Sequence, residues 1–272
     1  LFNSACLLSL FIFHYTELIM PDMLSVLPLA HIVFLGLAVM FAAVMRAFSG
    51  FGFALLAVPV FSLFLTPSQS VVVAAGLTLI VSGAKPKAWW GQFPTQFLPP
   101  MAAGAGLGSV VGVWFLSGLT ARDFQLWIGL LVIAACLALI RFKPKADRGS
   151  VPTAALTGVA SGLMNGAFAI PGPPVILFVM ATLQEARESR AFLMVFFLIS
   201  NGIAMVLFAL AGMVTTTTLA LIALALPVML LGDYLGAWLF KQIGGGAYRP
   251  VALAITILVG VSITAKALWA AG

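Results

Sequence analysis

Charge is what this chain has least of: Asp, Glu, Lys and Arg together make up 7% of its 272 residues, where a soluble domain carries about a quarter. A soluble globular fold is excluded on that ground. Cysteine is nearly absent too. The two present, Cys6 and Cys136, both stand in apolar surroundings and are read as small hydrophobes, since a disulfide or metal framework needs more ligands at closer spacing. Histidine is equally sparse. His14 and His31 have no acidic or cysteine partner at ligand spacing, so no metal and no cofactor is expected, and both are placed at the membrane interface. Missing as well are a His-Glu-x-x-His run, paired aspartates and a Gly-x-Ser-x-Gly elbow, the patterns that would argue for catalysis. Finally, the alternating ten-residue segments of an outer-membrane barrel do not occur.

What the chain does have is continuous apolar runs, 63% of it being hydrophobic. Several reach the roughly 20 residues that a helix needs to cross a bilayer. The fold class expected is therefore an all-α polytopic membrane protein, with the lipid bilayer as its surroundings. The net charge of +6 does not indicate nucleic acid as a partner, because the basic residues sit in short loops between apolar runs. In a membrane protein that is the positive-inside bias.

Apolar runs, prolines, glycines and charges delimit about ten segments. They are 27–48, 52–65, 69–84, 97–117 and 124–142, then 151–168, 172–183, 190–212, 219–240 and 249–270. Segments 52–65 and 172–183 are too short to span. Each follows a longer segment through glycine, as a hairpin or a broken helix would. Residues 1–22 hold a short apolar stretch, Cys6–Phe13, without a basic leader or cleavage site; they are set aside as uninformative, with Met20 and Met23 as candidate starts. With the Arg141–Arg148 loop cytoplasmic, alternation puts eleven basic residues inside and only Arg122 and Lys266 outside.

The two halves resemble each other. Phe48-Ser-Gly-Phe-Gly52 leads through an apolar stretch to Pro59, and Ala160-Ser-Gly-Leu-Met-Asn-Gly166 leads likewise to Pro171-Gly-Pro-Pro174. Further on, Gly104-Ala-Gly-Leu-Gly108 matches Gly232-Asp-Tyr-Leu-Gly236. This gives a first transmembrane repeat over 23–142, a basic cytoplasmic linker over 143–150 and a second repeat over 151–272. Five segments per half make the repeats antiparallel, the inverted plan of many secondary transporters.

Glycine and proline at membrane depth free backbone groups that hydrocarbon cannot satisfy, so these must be buried in protein or face a polar cavity. The N-terminus of an interrupted helix points amides and a partial positive charge at whatever fills that cavity, and it binds anions. The candidate substrate-binding set is thus Ser49, Gly50, Gly52 and Pro59 in one half, with Ser161, Gly162, Asn165, Gly166, Pro171, Gly172, Pro173 and Pro174 in the other. Glycines four apart also let helices approach closely in lipid, and Gly104/Gly108 and Gly232/Gly236 are read that way. Asp233, the one acidic residue well inside a span, is a candidate for proton coupling; the competing reading has it at the interface, paired with Lys241 or Arg249. Arg46 and Arg190 are candidates for attracting an anion, weighed against a plain topological role.

These same residues resemble the TauE/SafE sulfite exporters, also called the 4-toluene sulfonate uptake permease family. The matching features are Ser49-Gly-Phe-Gly52 followed by Pro59, Ser161-Gly162 with Gly166, Gly172-Pro-Pro174 leading into Val175-Ile-Leu-Phe, Arg190-Ala191, and the Gly232–Gly236 element. The resemblance implies a carrier of the bacterial inner membrane, multi-pass and built from two repeats of about four helices, that moves sulfite, organosulfonates or related organic anions. Where the family carries more glycine, this chain has Phe53 and Ala54 after Gly52, and Ala169-Ile170-Pro171. The expected function is secondary transport of a small anionic solute, and the chain is not expected to be an enzyme. A homo-oligomer is left open. The alternatives are a membrane-embedded enzyme or a structural subunit of a membrane complex, neither of which needs paired helix interruptions.

Overall fold

The computed structural model describes residues 29–49, 52–84, 91, 93–142, 149–183, 185–243 and 248–269. Residues 1–28 and most of the 143–150 linker lie outside the described residues, so the readings made of them stand as expectations. Among the described residues the chain is all helix: α1 (Leu29–Ser49), α2 (Phe53–Phe61), α3 (Pro67–Gly83), α4 (Leu98–Ser117), α5 (Ala121–Arg141), α6 (Val151–Phe168), α7 (Gly172–Thr182), α8 (Ala186–Leu210), α9 (Thr216–Ile243) and α10 (Tyr248–Trp269). These are the ten segments read from the apolar runs, with ends moved by a few residues.

Local chemistry explains several of the helix starts. Thr66-Pro67-x-Gln69 opens α3 with a reciprocal capping box: the Thr66 hydroxyl accepts from the Gln69 N–H at 3.3 Å, and the Gln69 side chain accepts from the Thr66 N–H at 3.1 Å. Ser150 and Thr153 do the same for α6, again with proline in the first turn. Thr120 caps α5 by accepting from the Asp123 N–H at 3.2 Å. A threonine or serine followed by proline pins both the cap and the first-turn dihedrals.

Among the described residues four helices are long and apolar enough to cross a membrane: Leu98–Ser117, Ala121–Arg141, Arg187–Leu210 and Thr216–Leu239. Their outward faces carry Leu107, Trp114, Trp127, Leu210, Leu231 and Trp238, all exposed. In water that would be an aggregation surface, whereas in a bilayer it is the face that meets lipid.

The helices interlock across the two halves of the sequence. The most extensive contact joins α4 to α6, followed by α1 with α9 and α5 with α10; α3 also packs on α8. The α4–α6 seam is made of glycine on both sides. Gly104, Gly108 and Gly112 recur at one-turn spacing on α4, and Gly158, Gly162 and Gly166 do so on α6. A Cβ built on Gly108 would stand 2.1 Å from the Val159 carbonyl oxygen, and one on Gly162 would stand 2.1 Å from that of Ala105. The two backbones therefore touch, as small-residue seams allow in lipid. Ser109 adds a hydrogen bond across this seam to the Gly162 carbonyl at 3.2 Å. The α1–α9 contact is looser: a Cβ on Gly232 would meet the Ala43 side chain at 2.7 Å and the Met40 carbonyl oxygen at 2.9 Å.

Candidate functional site

Both short helices begin at the same place. One cavity is lined by Gly52, Phe53, Ala54 and Leu55 at the start of α2 and by Ala169, Ile170, Pro171 and Gly172 at the start of α7. Arg46 from α1, Thr78 and Ser82 from α3, and Met194 and Phe197 from α8 complete the wall. The empty space amounts to about 520 Å³, the mouth to solvent included.

The α2 end is built to donate. Gly52 precedes the helix at φ 106°, ψ 2°, a conformation in which any other residue is strained. It provides no side-chain cap, and the first backbone bond of the helix runs from the Leu56 N–H to the Gly52 carbonyl. The N–H groups of Phe53, Ala54 and Leu55 come before that bond and make no hydrogen bond among the described residues. They carry the positive end of the helix dipole into the cavity.

The α7 end is different. Pro171, Pro173 and Pro174 have no N–H to give. The Ala169 N–H is bonded to the Asn165 carbonyl at 2.7 Å and that of Ile170 to the Met164 carbonyl at 3.3 Å. Among the described residues this leaves the Gly172 N–H. The two interruptions meet at one cavity but do not contribute donors alike, and the proline run that marks the second one in the sequence is also what disarms it.

Several residues read as substrate contacts do not line the cavity. Ser161 is fully buried and its hydroxyl donates to the Pro171 carbonyl; its proton is used to brace the α6–α7 break. Gly162 and Gly166 face α4, where a Cβ would meet the carbonyl oxygens of Ala105 and Ser109 at 2.1 and 2.4 Å. The room they leave is filled by helix, not by solute. Asn165, also fully buried, donates from Nδ2 to the Ser200 carbonyl at 3.0 Å and hydroxyl at 2.9 Å, tying α6 to α8. Pro59 lies inside α2, well past its first turn, while Pro171 stands immediately before α7; the two prolines aligned in the sequence hold different positions. Arg190 is exposed on α8 and does not line the cavity. Gly50 and the side chain of Ser49 lie outside the described residues.

Arg46 and Asp233, read separately from the sequence, form an ion pair between α1 and α9, from Arg46 Nη2 to Asp233 Oδ2. Their side chains are 18% and 7% exposed. Arg46 lines the cavity, and Asp233 stands behind it. The side chains of Lys241 and Arg249, the partners considered for Asp233, lie outside the described residues. Arg46 Nε is buried and makes no hydrogen bond among the described residues. Ser82 is buried on the cavity wall, with its hydroxyl likewise uncommitted among the described residues, whereas Thr78 spends its proton on the Ala74 carbonyl at 2.8 Å. Among the described residues no group of three or more His, Cys, Asp or Glu is placed to hold a metal.

The family model for the sulfite exporter TauE/SafE matches residues 35–263, which takes in every element lining the cavity. The chain belongs to the TauE/SafE family. It is 28% identical over 163 residues to a protein named probable sulfite/organosulfonate exporter TauE from Cupriavidus necator, the match covering 58% of this chain and 64% of that one. It is 29% identical over 174 residues to one named probable inner membrane transporter protein TsaS from Comamonas testosteroni, covering 63% of this chain and 71% of that one. The match with the first relative thus spans slightly less than two thirds of that protein's length. No solved structure matches the chain. The resemblance read from the glycine and proline motifs is borne out, and family membership together with the spanning helices makes this a multi-pass membrane protein of a transporter family.

Within this TauE/SafE chain, one departure from the glycine pattern has a visible consequence. Ala169 closes α6 in the left-handed conformation, φ 55° and ψ 29°, alone among the described non-glycine residues in having positive φ. Glycine is the residue that accepts this geometry without strain. The cavity residues that the sequence did not single out are Thr78, Ser82, Met194 and Phe197. They sit within apolar helices whose periodicity carries no mark of the cavity, and only tertiary packing brings them to it.

Proposed function

We propose that this protein is a secondary carrier of the bacterial inner membrane for a small anion, either sulfite or an organosulfonate, held at the cavity between the starts of α2 and α7. The observation that carries this reading is the convergence of the uncommitted α2 amides, the Arg46 guanidinium and the Ser82 hydroxyl on one apolar-walled space. Pyramidal and tetrahedral oxyanions offer several acceptor oxygens, which suits donors arriving from different elements. Phe53, Ile170, Met194 and Phe197 give the same cavity an apolar wall, which fits the organic substituent of a sulfonate. The name of the first relative, a probable sulfite/organosulfonate exporter, points to the same chemistry, and that of the second to transport across the inner membrane.

The inverted-repeat plan belongs to this proposal. If α1–α5 are laid over α6–α10, the α4–α6 contact maps onto α9–α1, α4–α8 onto α9–α3, α1–α2 onto α6–α7, α2–α3 onto α7–α8 and α2–α10 onto α7–α5. The α3–α8 and α5–α10 contacts map onto themselves. Each of these contacts is present, while the smaller α6–α8, α1–α10, α2–α5 and α3–α4 contacts have no counterpart as large. This pairing supports a two-fold relation between the halves, and the five helices per half among the described residues favour an antiparallel one. Cysteine-accessibility mapping is expected to place residues 141–150 inside and both the Thr215–Thr218 turn and the C-terminus outside. A C-terminus on the same side as the linker overturns the inverted plan.

Transport itself is tested in vesicles reconstituted with the purified protein and loaded with sulfite or a short alkanesulfonate. A solute gradient is expected to drive saturable flux, with one anion competing against the other. Flux no faster than in empty vesicles for both anions would remove this reading and return the enzyme and structural-subunit alternatives.

A further inference from the structure

Arg46 holds an unusual position for a residue that meets a solute, because its charge is already answered. A guanidinium facing a cavity in a membrane protein is costly when unpaired, and Asp233 supplies the missing charge from behind. The contact is single-pointed, Nη2 to Oδ2, rather than the two-pronged fork that arginine makes with a carboxylate in its strongest pairings. The guanidinium makes no other hydrogen bond among the described residues and its side chain stays 18% exposed at the cavity wall, so part of the donor fork remains for an oxyanion. The pair also joins α1 of the first half to α9 of the second, across 187 positions of sequence. Of the other elements packed on α9, α3 carries no charged side chain among its residues Pro67–Gly83.

We propose that Asp233 is a built-in competitor of the transported anion, a carboxylate that holds Arg46 while the cavity is empty and yields it to the solute on loading. This rests on the anion-carrier reading above and extends it. An arginine with no competing charge would hold an oxyanion tightly and release it slowly, and conduction requires a site favourable enough to enter yet weak enough to leave. The carboxylate lowers the net gain on loading, because the solute replaces one anion at the guanidinium rather than filling a vacant charge. It also gives loading a structural consequence. Weakening the Arg46–Asp233 link loosens a contact between α1 and α9, so solute has different affinity for states in which that contact is open or closed, the condition for a ligand to shift a conformational equilibrium.

The test measures binding of ethanesulfonate, which stays singly charged across the working pH range, to detergent-purified protein by calorimetry, together with its flux in vesicles. Asp233→Asn is expected to bind the anion about tenfold or more tighter than the parent, since a charge-assisted bond no longer has to be surrendered. Its KM and turnover should fall together, release having slowed. Arg46→Gln should bind at least about tenfold more weakly, and the Arg46→Gln/Asp233→Asn double variant should bind like Arg46→Gln. Asp233→Ser serves as a second uncharged replacement, with the same expectation. A purely structural ion pair predicts instead that the Arg46 and Asp233 variants weaken binding alike. That result, or unchanged affinity in the Asp233 variants, overturns the proposal while leaving the carrier reading intact. Failure of both Asp233 variants to fold also overturns it by making the carboxylate structural. Absence of binding and flux in the parent removes the carrier reading and this proposal with it.

Discussion

Gly108→Leu and Gly162→Leu are each expected to abolish the folded protein rather than alter its transport. In the α4–α6 seam even the first carbon of a side chain has nowhere to go, since a Cβ at either position would stand 2.1 Å from a backbone carbonyl oxygen of the facing helix. A flexible side chain could turn aside, but a helix backbone moves only as a body. Separating α4 from α6 would in turn pull Ser109 from the Gly162 carbonyl and disturb the α6–α7 break that Ser161 braces. Overpacking a core costs about 1–3 kcal/mol where neighbours can give, and here they cannot. Gly106→Leu is the matched control, on the same helix midway between Gly104 and Gly108, with nothing within 4 Å of its Cβ. Fluorescence-detected size exclusion of tagged protein should show a monodisperse peak for Gly106→Leu and aggregate or no protein for the two seam variants. Normal peaks for both seam variants would mean that α4 and α6 do not touch through their backbones.

That seam shows how far the sequence could be read. All ten helices among the described residues are legible in the sequence because span length and the turn residues between spans are local properties, and the short segments after Gly52 and Pro171 stand out by the same rules. The glycines of α6 were not assignable in the same way. Gly162 and Gly166 lie within a stretch that ends in prolines, so they read as part of the interruption, whereas in the structure their one-turn spacing, shared with Gly158, faces α4. Glycine serves close packing and solute access equally well, and only the facing surface tells them apart. The Arg46–Asp233 pair was hidden for another reason. Arg46 sits at the end of α1 and Asp233 deep in α9, and no local pattern joins two residues so far apart in the chain. Both stand out in the sequence as charges near or within spans; what the sequence lacks is their contact. Ser82 and Phe197 left no mark at all, being ordinary residues of apolar helices.

The start of α2 carries the last expected result: Gly52→Val should weaken ethanesulfonate binding by at least about 100-fold while the protein still folds. At φ 106° a β-branched residue is an outlier, so the chain must rotate to negative φ before entering the helix. That rotation re-aims the start of the helix, whose free N–H groups on Phe53, Ala54 and Leu55 belong to residues lining the cavity. Each hydrogen bond to a charged ligand contributes about 1.5–3 kcal/mol, so misaiming two of them gives a loss of this size. The cost to folding is smaller, about 1–2 kcal/mol for forcing a left-handed position. Gly212 separates the two effects. It too has positive φ, 70°, but lies in the exposed turn between α8 and α9 with nothing within 4 Å of its Cβ. Gly212→Val should therefore lower the melting temperature about as much as Gly52→Val does, and leave anion affinity unchanged. If Gly52→Val binds the anion as tightly as Gly212→Val, the α2 amides do not meet the solute, and Arg46 and Ser82 would have to hold it without them.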